Sequence, residues 1–122
     1  MIILDTNIVI YYLQGDSFVS DWLENSIAKG ETFGLSTLSV VELLGYKKLP
    51  QTEKFVIQQL LQTIMIIDVD IIIAHTAAEL RQQYNLRTVD SVIAATAKVL
   101  SARLVSRDRS FRRISSIQLL MI

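Results

Sequence analysis

The chain has 122 residues, enough for one hydrophobic core and too few for two ordinary domains, so we expect a single domain over residues 1–122. Hydrophobic residues make up 51% of it, which excludes a disordered chain, and the absence of cysteine excludes disulfides and thiolate zinc sites. The 12 Lys and Arg residues balance the 12 Asp and Glu residues, which argues against a non-specific nucleic-acid coat. Because the mean hydropathy of +0.39 is high for a small protein, we expect an apolar oligomer interface, in the simplest case that of a homodimer.

Short apolar runs alternate with segments of helical periodicity along the whole chain. The predicted elements in chain order are a strand at 2–4, helices at 7–13 and 16–28, a strand at 32–35, helices at 37–44 and 50–62, a strand at 64–67, helices at 70–84 and 88–100, a strand at 103–105, a helical turn at 110–114 and a strand at 117–119. Strands that alternate with helices predict an α/β fold with a mainly parallel sheet covered on both faces.

Two of these elements carry expectations about burial. The run IMII at 64–67 is continuously apolar, which is typical of a buried strand. The helix at 16–28 is amphipathic, with one apolar face made of Phe18, Trp22, Leu23 and Ile27.

No apolar stretch approaches the roughly 18–20 residues that cross a bilayer. Asp5 interrupts the N-terminal apolar run, and Asp68 and Asp70 interrupt the longest one. The start of the chain also has no basic leader and no small-residue cleavage site. We therefore expect a cytoplasmic protein that does not contact a membrane.

Basic residues concentrate towards the C-terminal end of the chain. They are Lys98, Arg103, Arg107, Arg109, Arg112 and Arg113, with Asp108 as the only acid among them. A solvated surface is the ordinary role of such a cluster. The functional alternative is a patch that attracts the phosphates of a nucleic acid.

Several acids stand at predicted strand and helix ends, where each has a structural explanation of its own. Asp5 is a good N-cap for the helix at 7–13, and Asp70 for the helix that follows it. Glu42 either completes a capping box with Ser39 or lies inside a helix that starts at Thr37.

Two further acids lie in the C-terminal half. Asp90 follows Thr88, a good N-cap residue, and an acid in the first turn stabilises a helix by about 0.3–1 kcal/mol. Asp108 follows the strand at 103–105 and is suited to cap the turn through Phe111.

Considered together, Asp5, Glu42, Asp90 and Asp108 predict a metal site. In an open parallel sheet the strand-to-helix crossings share one edge, and ligands bind there where the strand order reverses. Two unit charges 4 Å apart repel by about 4 kcal/mol at an effective dielectric of 20, and a divalent cation relieves such repulsion. Carboxylates suit Mg²⁺ and Mn²⁺, whose best-known use is phosphodiester chemistry. The only histidine, His75, lies in a predicted helix away from these acids.

Four motifs resemble those of the PIN domains, and in particular of the VapC toxins of bacterial toxin–antitoxin pairs: ILDTN, STLSVVELLG, DSVIAATA and LVSRDRSF. They occur in this order and span nearly the whole chain. The resemblance implies a three-layer α/β/α fold and a Mg²⁺- or Mn²⁺-dependent ribonuclease with a VapB-like antitoxin as its partner. It implies catalytic and metal-binding roles for Asp5, Glu42, Asp90 and Asp108, and supporting roles for Thr6 and Ser91.

The fourth motif departs from the family pattern at two positions. Ser106 stands where the family often has threonine, and it keeps the hydroxyl group. Ser110 stands where the family often has a further aspartate, which leaves Asp108 as the only nearby carboxylate. The loop then decides whether Asp108 binds a metal directly or through water.

Our hypothesis is that Asp5, Glu42 and Asp90 hold one Mg²⁺, while Asp108 helps to hold a second or orients the attacking water. Hydrolysis of RNA then leaves a 5′-phosphate and a 3′-hydroxyl. The residues expected to guide the RNA backbone are Arg107, Arg109, Arg112 and Arg113. The expected antitoxin contacts are residues 11–13 and the helix at 51–62.

Two alternatives remain open at this stage. The first is a non-catalytic PIN-like module that binds RNA or protein, which the absence of an acid at Ser110 favours. The second is a receiver-like phosphotransferase domain with Asp5 as the phosphoacceptor. A second acid next to Asp5 and a lysine on a late strand, which such a domain needs, are both missing.

Overall fold

The computed structural model describes every residue from Met1 to Ile122. Its elements in chain order are β1 (Ile2–Leu4), α1 (Thr6–Leu13), α2 (Ser17–Ala28), β2 (Phe33–Ser36), α3 (Thr37–Leu44), α4 (Gln51–Leu61), β3 (Met65–Ile67), α5 (Ile71–Tyr84), α6 (Thr88–Val99), β4 (Arg103–Ser106), the 3₁₀ helix η1 (Arg109–Arg113) and β5 (Gln118–Met121). The predicted order and type of all the elements are confirmed, with small differences at their ends.

The five strands form one parallel sheet in the order β3-β2-β1-β4-β5. Ile3 on β1 lies opposite Gly34 on one side and Leu104 on the other. The chain builds outward from β1 through β2 to β3, and then crosses to place β4 and β5 on the opposite side of β1. The strand order therefore reverses between β1 and β4, which is where parallel α/β sheets bind ligands.

A hydrophobic core lies on each face of the sheet, because successive residues of a strand point to opposite faces. On β1, Ile3 packs against α5 and α6, whereas Ile2 and Leu4 pack with residues of α1, α2, α3 and α4. Both faces are covered by helices, so the three-layer α/β/α arrangement is confirmed. None of the helices combines the length and the apolar character needed to cross a membrane.

The alanine-rich helix α6 lies against the centre of the sheet. It contacts β1, β2 and β4, and Ala94, Ala95 and Ala97 on it are completely buried. Small side chains allow this close approach, and the approach brings the first turn of α6, with Asp90, to the edge where β1 and β4 end.

Two predicted burial patterns are wrong. On α2, Phe18 and Ile27 are 59% and 61% exposed, and the buried face consists of Val19, Leu23 and Ser26 instead. The strand β3 is an edge strand that pairs with β2 alone, so its apolar residues are not enclosed. Apolar periodicity alone did not separate a core face from an exposed apolar face.

Candidate active site

Asp5 occupies the N-cap position of α1 without capping it. Its backbone is extended, with φ −64° and ψ 143°, and its side chain makes no capping hydrogen bond. The side chain accepts a hydrogen bond from the hydroxyl of Ser106 at 2.7 Å, across the junction between β1 and β4. The predicted capping role is therefore wrong, and the carboxylate faces the switch point of the sheet.

Asp5 is buried beside other acids. Only 4% of the residue is exposed, and burial raises its pKa from 3.8 to about 6. The hydrogen bond from Ser106 lowers this pKa, while the negative charges of Asp90 and Asp108 raise it further. Two acids that are far from Asp5 in the chain therefore lie within electrostatic range of it.

The fourth acid, Glu42, is held from α1. Helix α3 begins at Thr37 with Ser36 as its cap, so the capping box with Ser39 does not form and Glu42 lies inside the helix. The Thr6 hydroxyl donates to Glu42 Oε1 at 2.6 Å and lies 2.8 Å from Ser39 Oγ. A threonine hydroxyl has one proton, so Ser39 is the donor in this second contact. The hydrogen bond from Thr6 thus holds one carboxylate oxygen of Glu42 in position.

Asp90 is paired with an arginine that sequence reasoning missed. Arg87, and not Thr88, is the N-cap residue of α6. Its Nε lies 3.0 Å from Asp90 Oδ2 and its Nη2 lies 3.5 Å from Asp90 Oδ1. The spacing of three residues at the start of a helix was the available signal, because side chains so spaced are neighbours.

Three of the four acids act on Arg87 through their charges. The hydrogen bond with Asp90 and the charge of that acid raise the pKa of Arg87, and the charges of Asp108 and Glu42 raise it further. Because Asp90 and Asp108 also act on Asp5, the four predicted acids surround one region at the carboxyl ends of β1 and β4.

Asp108 has a structural role in this region. Its backbone N–H donates to Ser106 Oγ at 2.9 Å, and its Oδ1 accepts the amide of Ser110 at 2.9 Å, which caps η1. Ser106 therefore joins Asp5 to the loop that carries Asp108. One carboxylate oxygen of Asp108 is used by the cap, and the other makes no hydrogen bond within the protein.

The remaining predicted site residues differ in their surroundings. Ser91 donates to the carbonyl of Thr88 inside α6 and makes no hydrogen bond with the acids. Arg107 forms two hydrogen bonds with Asp16, at 2.8 and 3.1 Å, and its guanidinium lies 4.6 Å from the centre of the Tyr11 ring. The other predicted basic residues, Arg109, Arg112 and Arg113, are exposed on η1.

The chemistry of these donors fits a hard divalent cation. They are carboxylates, which Mg²⁺ and Mn²⁺ prefer, and the charged form of Asp5 is disfavoured until a positive charge arrives. As the side chains stand, no three acids or histidines are close enough together to hold a metal ion. Coordination of one ion by three of these acids would therefore require side-chain rearrangement.

The fold and these side chains define a class of protein: a parallel α/β/α domain with acids gathered at the switch point of its sheet. The model of the PIN domain family matches residues 2–117, and the chain belongs to this family. No curated protein matches the sequence significantly.

Solved structures of similar fold come from toxin–antitoxin complexes. A chain of VapBC2 from Rickettsia felis, bound to a promoter DNA fragment, is 26% identical with a TM-score of 0.87, and the match covers 100% of this chain and 99% of that one. A chain of a toxin–antitoxin complex from Klebsiella pneumoniae is 28% identical with a TM-score of 0.82, covering 96% and 95%. FitAcB from Neisseria gonorrhoeae is 27% identical with a TM-score of 0.77, covering 98% and 96%.

Proposed function

We propose that this PIN domain is a Mg²⁺- or Mn²⁺-dependent endoribonuclease and the VapC-type toxin of a toxin–antitoxin pair. The observation that carries the proposal is the buried carboxylate of Asp5, which does not cap its helix and lies in range of Asp90 and Asp108. A stable fold gains nothing from such a group, whereas a cation site needs it. The similarity to chains of toxin–antitoxin complexes supports the biological role.

In this proposal Asp5, Glu42 and Asp90 hold the cation, and Asp108 completes the site directly or through water. Thr6 and Ser106 orient Glu42 and Asp5 through their hydroxyl groups. A bound cation would lower the pKa of a water molecule and offset negative charge that develops on the phosphate. Hydrolysis would leave a 5′-phosphate and a 3′-hydroxyl.

We assign RNA guidance first to Arg109, Arg112 and Arg113. They are basic and close in sequence to Asp108, and Arg109 and Arg112 make no hydrogen bond through their side chains. Arg107 is a weaker candidate because Asp16 already occupies its guanidinium. Replacement of Arg112 by glutamine should weaken RNA binding and reduce its dependence on salt concentration.

The test is cleavage of RNA by the purified protein with Mg²⁺ or Mn²⁺. Asp5→Asn and Asp90→Asn should each abolish cleavage while the circular dichroism spectrum stays unchanged. Asp70→Asn is the matched control, because Asp70 also lies between a strand and a helix but only caps α5. Cleavage by both site variants at the rate of the unmodified protein would exclude the proposed chemistry.

Metal binding should also stabilise the fold. A ligand that binds only the folded protein at 100 times its Kd adds about 2.7 kcal/mol to the free energy of unfolding. We expect Mg²⁺ or Mn²⁺ to raise the Tm of the unmodified protein but not that of Asp5→Asn. An unchanged Tm at millimolar concentrations of either metal would argue against the site.

An apolar groove of about 390 Å³ supports the expected antitoxin partner. Helices α1, α3 and α4 form it, and its apolar lining residues include Leu13, Leu43, Leu49 and Val56. We propose that a segment of a VapB-like antitoxin binds here, and that the protein acts in the cytoplasm as a homodimer. Leu13→Glu should prevent complex formation with the product of the adjoining antitoxin gene, and Ile72→Glu on the exposed face of α5 is the control.

One observation favours a non-catalytic alternative. Arg87 occupies Asp90, a cap occupies one oxygen of Asp108, and no three acids form a metal-sized group as the side chains stand. A PIN-like module that binds RNA without cutting it would have this arrangement permanently. The cleavage assay separates the two, because such a module would bind RNA and leave it intact in Mg²⁺ and in Mn²⁺ alike.

A further inference from the structure

Asp90 depends on Arg87 for all of its hydrogen bonds within the protein. Both oxygens of the carboxylate face the guanidinium, Oδ2 at 3.0 Å and Oδ1 at 3.5 Å, and no other group donates to them. Glu42 and Asp108, by contrast, use one carboxylate oxygen each. The arginine therefore covers the one acid of the site that has no other partner.

The two members of this ion pair differ greatly in exposure. The side chain of Arg87 is 78% exposed, whereas that of Asp90 is 10% exposed. Arg87 thus covers Asp90 from the solvent side, on a long side chain attached just before the first turn of α6. This arginine can leave when another cation takes its place, because Asp90 is nearly buried and its charge would otherwise be left without a partner.

A divalent cation and this guanidinium need the same carboxylate. We propose that Arg87 is the internal counter-ion of the site: it pairs with Asp90 in the metal-free protein and is displaced when a cation binds. This inference rests on the proposed function, in which Asp90 is a metal ligand. It explains why the four acids can gather without a metal, since Arg87 also lies in range of Asp108 and Glu42.

Competition between the two cations can be measured without any enzymatic readout. We expect Arg87→Gln to bind Mn²⁺ about two- to five-fold more tightly than the unmodified protein in isothermal titration calorimetry, because the pair between Arg87 and Asp90 no longer has to be broken. Arg103→Gln removes the same charge from the start of β4, where Arg103 pairs with Glu31 and with no acid of the site, and should bind Mn²⁺ with unchanged affinity.

Arg87→Lys separates displacement from a simple effect of charge. Lysine keeps the positive charge but loses the planar pair of donors that faces both oxygens of Asp90. Displacement predicts tighter Mn²⁺ binding by Arg87→Lys than by the unmodified protein. An affinity equal to that of the unmodified protein, together with tighter binding by Arg87→Gln, would mean that only long-range charge matters and would overturn the inference.

Nuclear magnetic resonance provides a direct view of the arginine. Titration with Mg²⁺, which is diamagnetic, should shift the Nε–H signal of Arg87 towards the position of a solvated arginine, along the same saturation curve as metal binding. A signal that stays in place at saturation would overturn the inference and leave the nuclease intact. Absence of metal binding in every variant would overturn the proposed function together with it.

Discussion

Asp5 and Asp70 have the same setting in the sequence and different surroundings in the fold. Each follows a strand and precedes a helix, Asp5 between β1 and α1 and Asp70 between β3 and α5. Asp70 is exposed, and its Oδ1 accepts the amide of Ile73 at 2.8 Å, as a helix cap does. Asp5 is buried, leaves its helix uncapped and accepts a hydrogen bond from Ser106.

The position of each strand in the sheet explains the difference. β3 is an edge strand, so the acid after it lies in solvent and serves its own helix. β1 is the central strand, and the acid after it is enclosed by the end of β4 and lies in range of Asp90 on α6. Burial of an acid near other acids, without a capping role, therefore distinguishes the carboxylate that we propose to be functional from the structural one in this sheet.

The largest expected effect is a gain of stability on removal of the Asp5 charge. The difference between a pKa of 3.8 in the unfolded chain and about 6 in the fold corresponds to about 3 kcal/mol at most. Asp5→Asn should therefore be more stable than the unmodified protein at pH 8 in EDTA, by up to this amount or roughly 10 °C in Tm. Asp70→Asn should be unchanged, because asparagine is as good a cap. Urea unfolding measures both, and a loss of stability in Asp5→Asn would contradict the interpretation.

The pH dependence of this gain has a definite sign. The raised pKa means that the folded protein keeps the proton of Asp5 between about pH 4 and pH 6, where the unfolded chain has released it. This group therefore lowers the stability of the metal-free protein as the pH rises through that window. The difference between Asp5→Asn and the unmodified protein should vanish below about pH 4 and reach its full size above about pH 6. A difference of constant size from pH 4 to pH 8 would exclude a buried titrating carboxylate.

Removal of the Ser106 hydroxyl should have the next largest effect. Hydrogen bonds to charged groups contribute about 1.5–3 kcal/mol, so we expect Ser106→Ala to lose about 2 kcal/mol at pH 8. The loss should be smaller at pH 4.5, where Asp5 is protonated.

Ser36→Ala is the matched control, because Ser36 also ends a buried strand but caps α3 through the amide of Leu38. Its loss of about 1 kcal/mol should not depend on pH. Equal pH dependence in both variants would show that Ser106 does not act on Asp5.

Much of the fold could be predicted from the sequence, because strands and helices differ in their apolar period. The alternation of IIL, the helices and LVS predicted the parallel sheet, whereas the strand order and its reversal beside Asp5 are known only from the structure. Burial was harder, since Phe18 and Ile27 are apolar and exposed. The local sequence pattern of α2 does not show which of its apolar residues pack against the rest of the fold.

The acids of the site could be predicted as a group but not in their contacts. Their positions at strand and helix ends indicated a common edge, and the four motifs fixed which acids belong together. The hydroxyl of Ser106 reaches Asp5 across 101 residues of sequence, which no local pattern encodes. Arg87 was missed because an arginine before a helix is usually a solvated residue, and only the fold brings it against a nearly buried acid.

The smallest effect is expected at Asp70 and completes the comparison. Asp70→Ala removes the cap on the amide of Ile73 and should lower the free energy of unfolding by about 1 kcal/mol. This loss should be the same in EDTA and in Mg²⁺, because Asp70 makes no contact with the acidic site, whereas Asp5→Asn should lose the stabilisation by Mg²⁺ entirely. Urea unfolding with and without the metal measures both variants. If Mg²⁺ stabilised Asp70→Ala less than the unmodified protein, Asp70 would also contribute to metal binding. The proposed difference between Asp70 as a helix cap and Asp5 as a site residue would then be wrong.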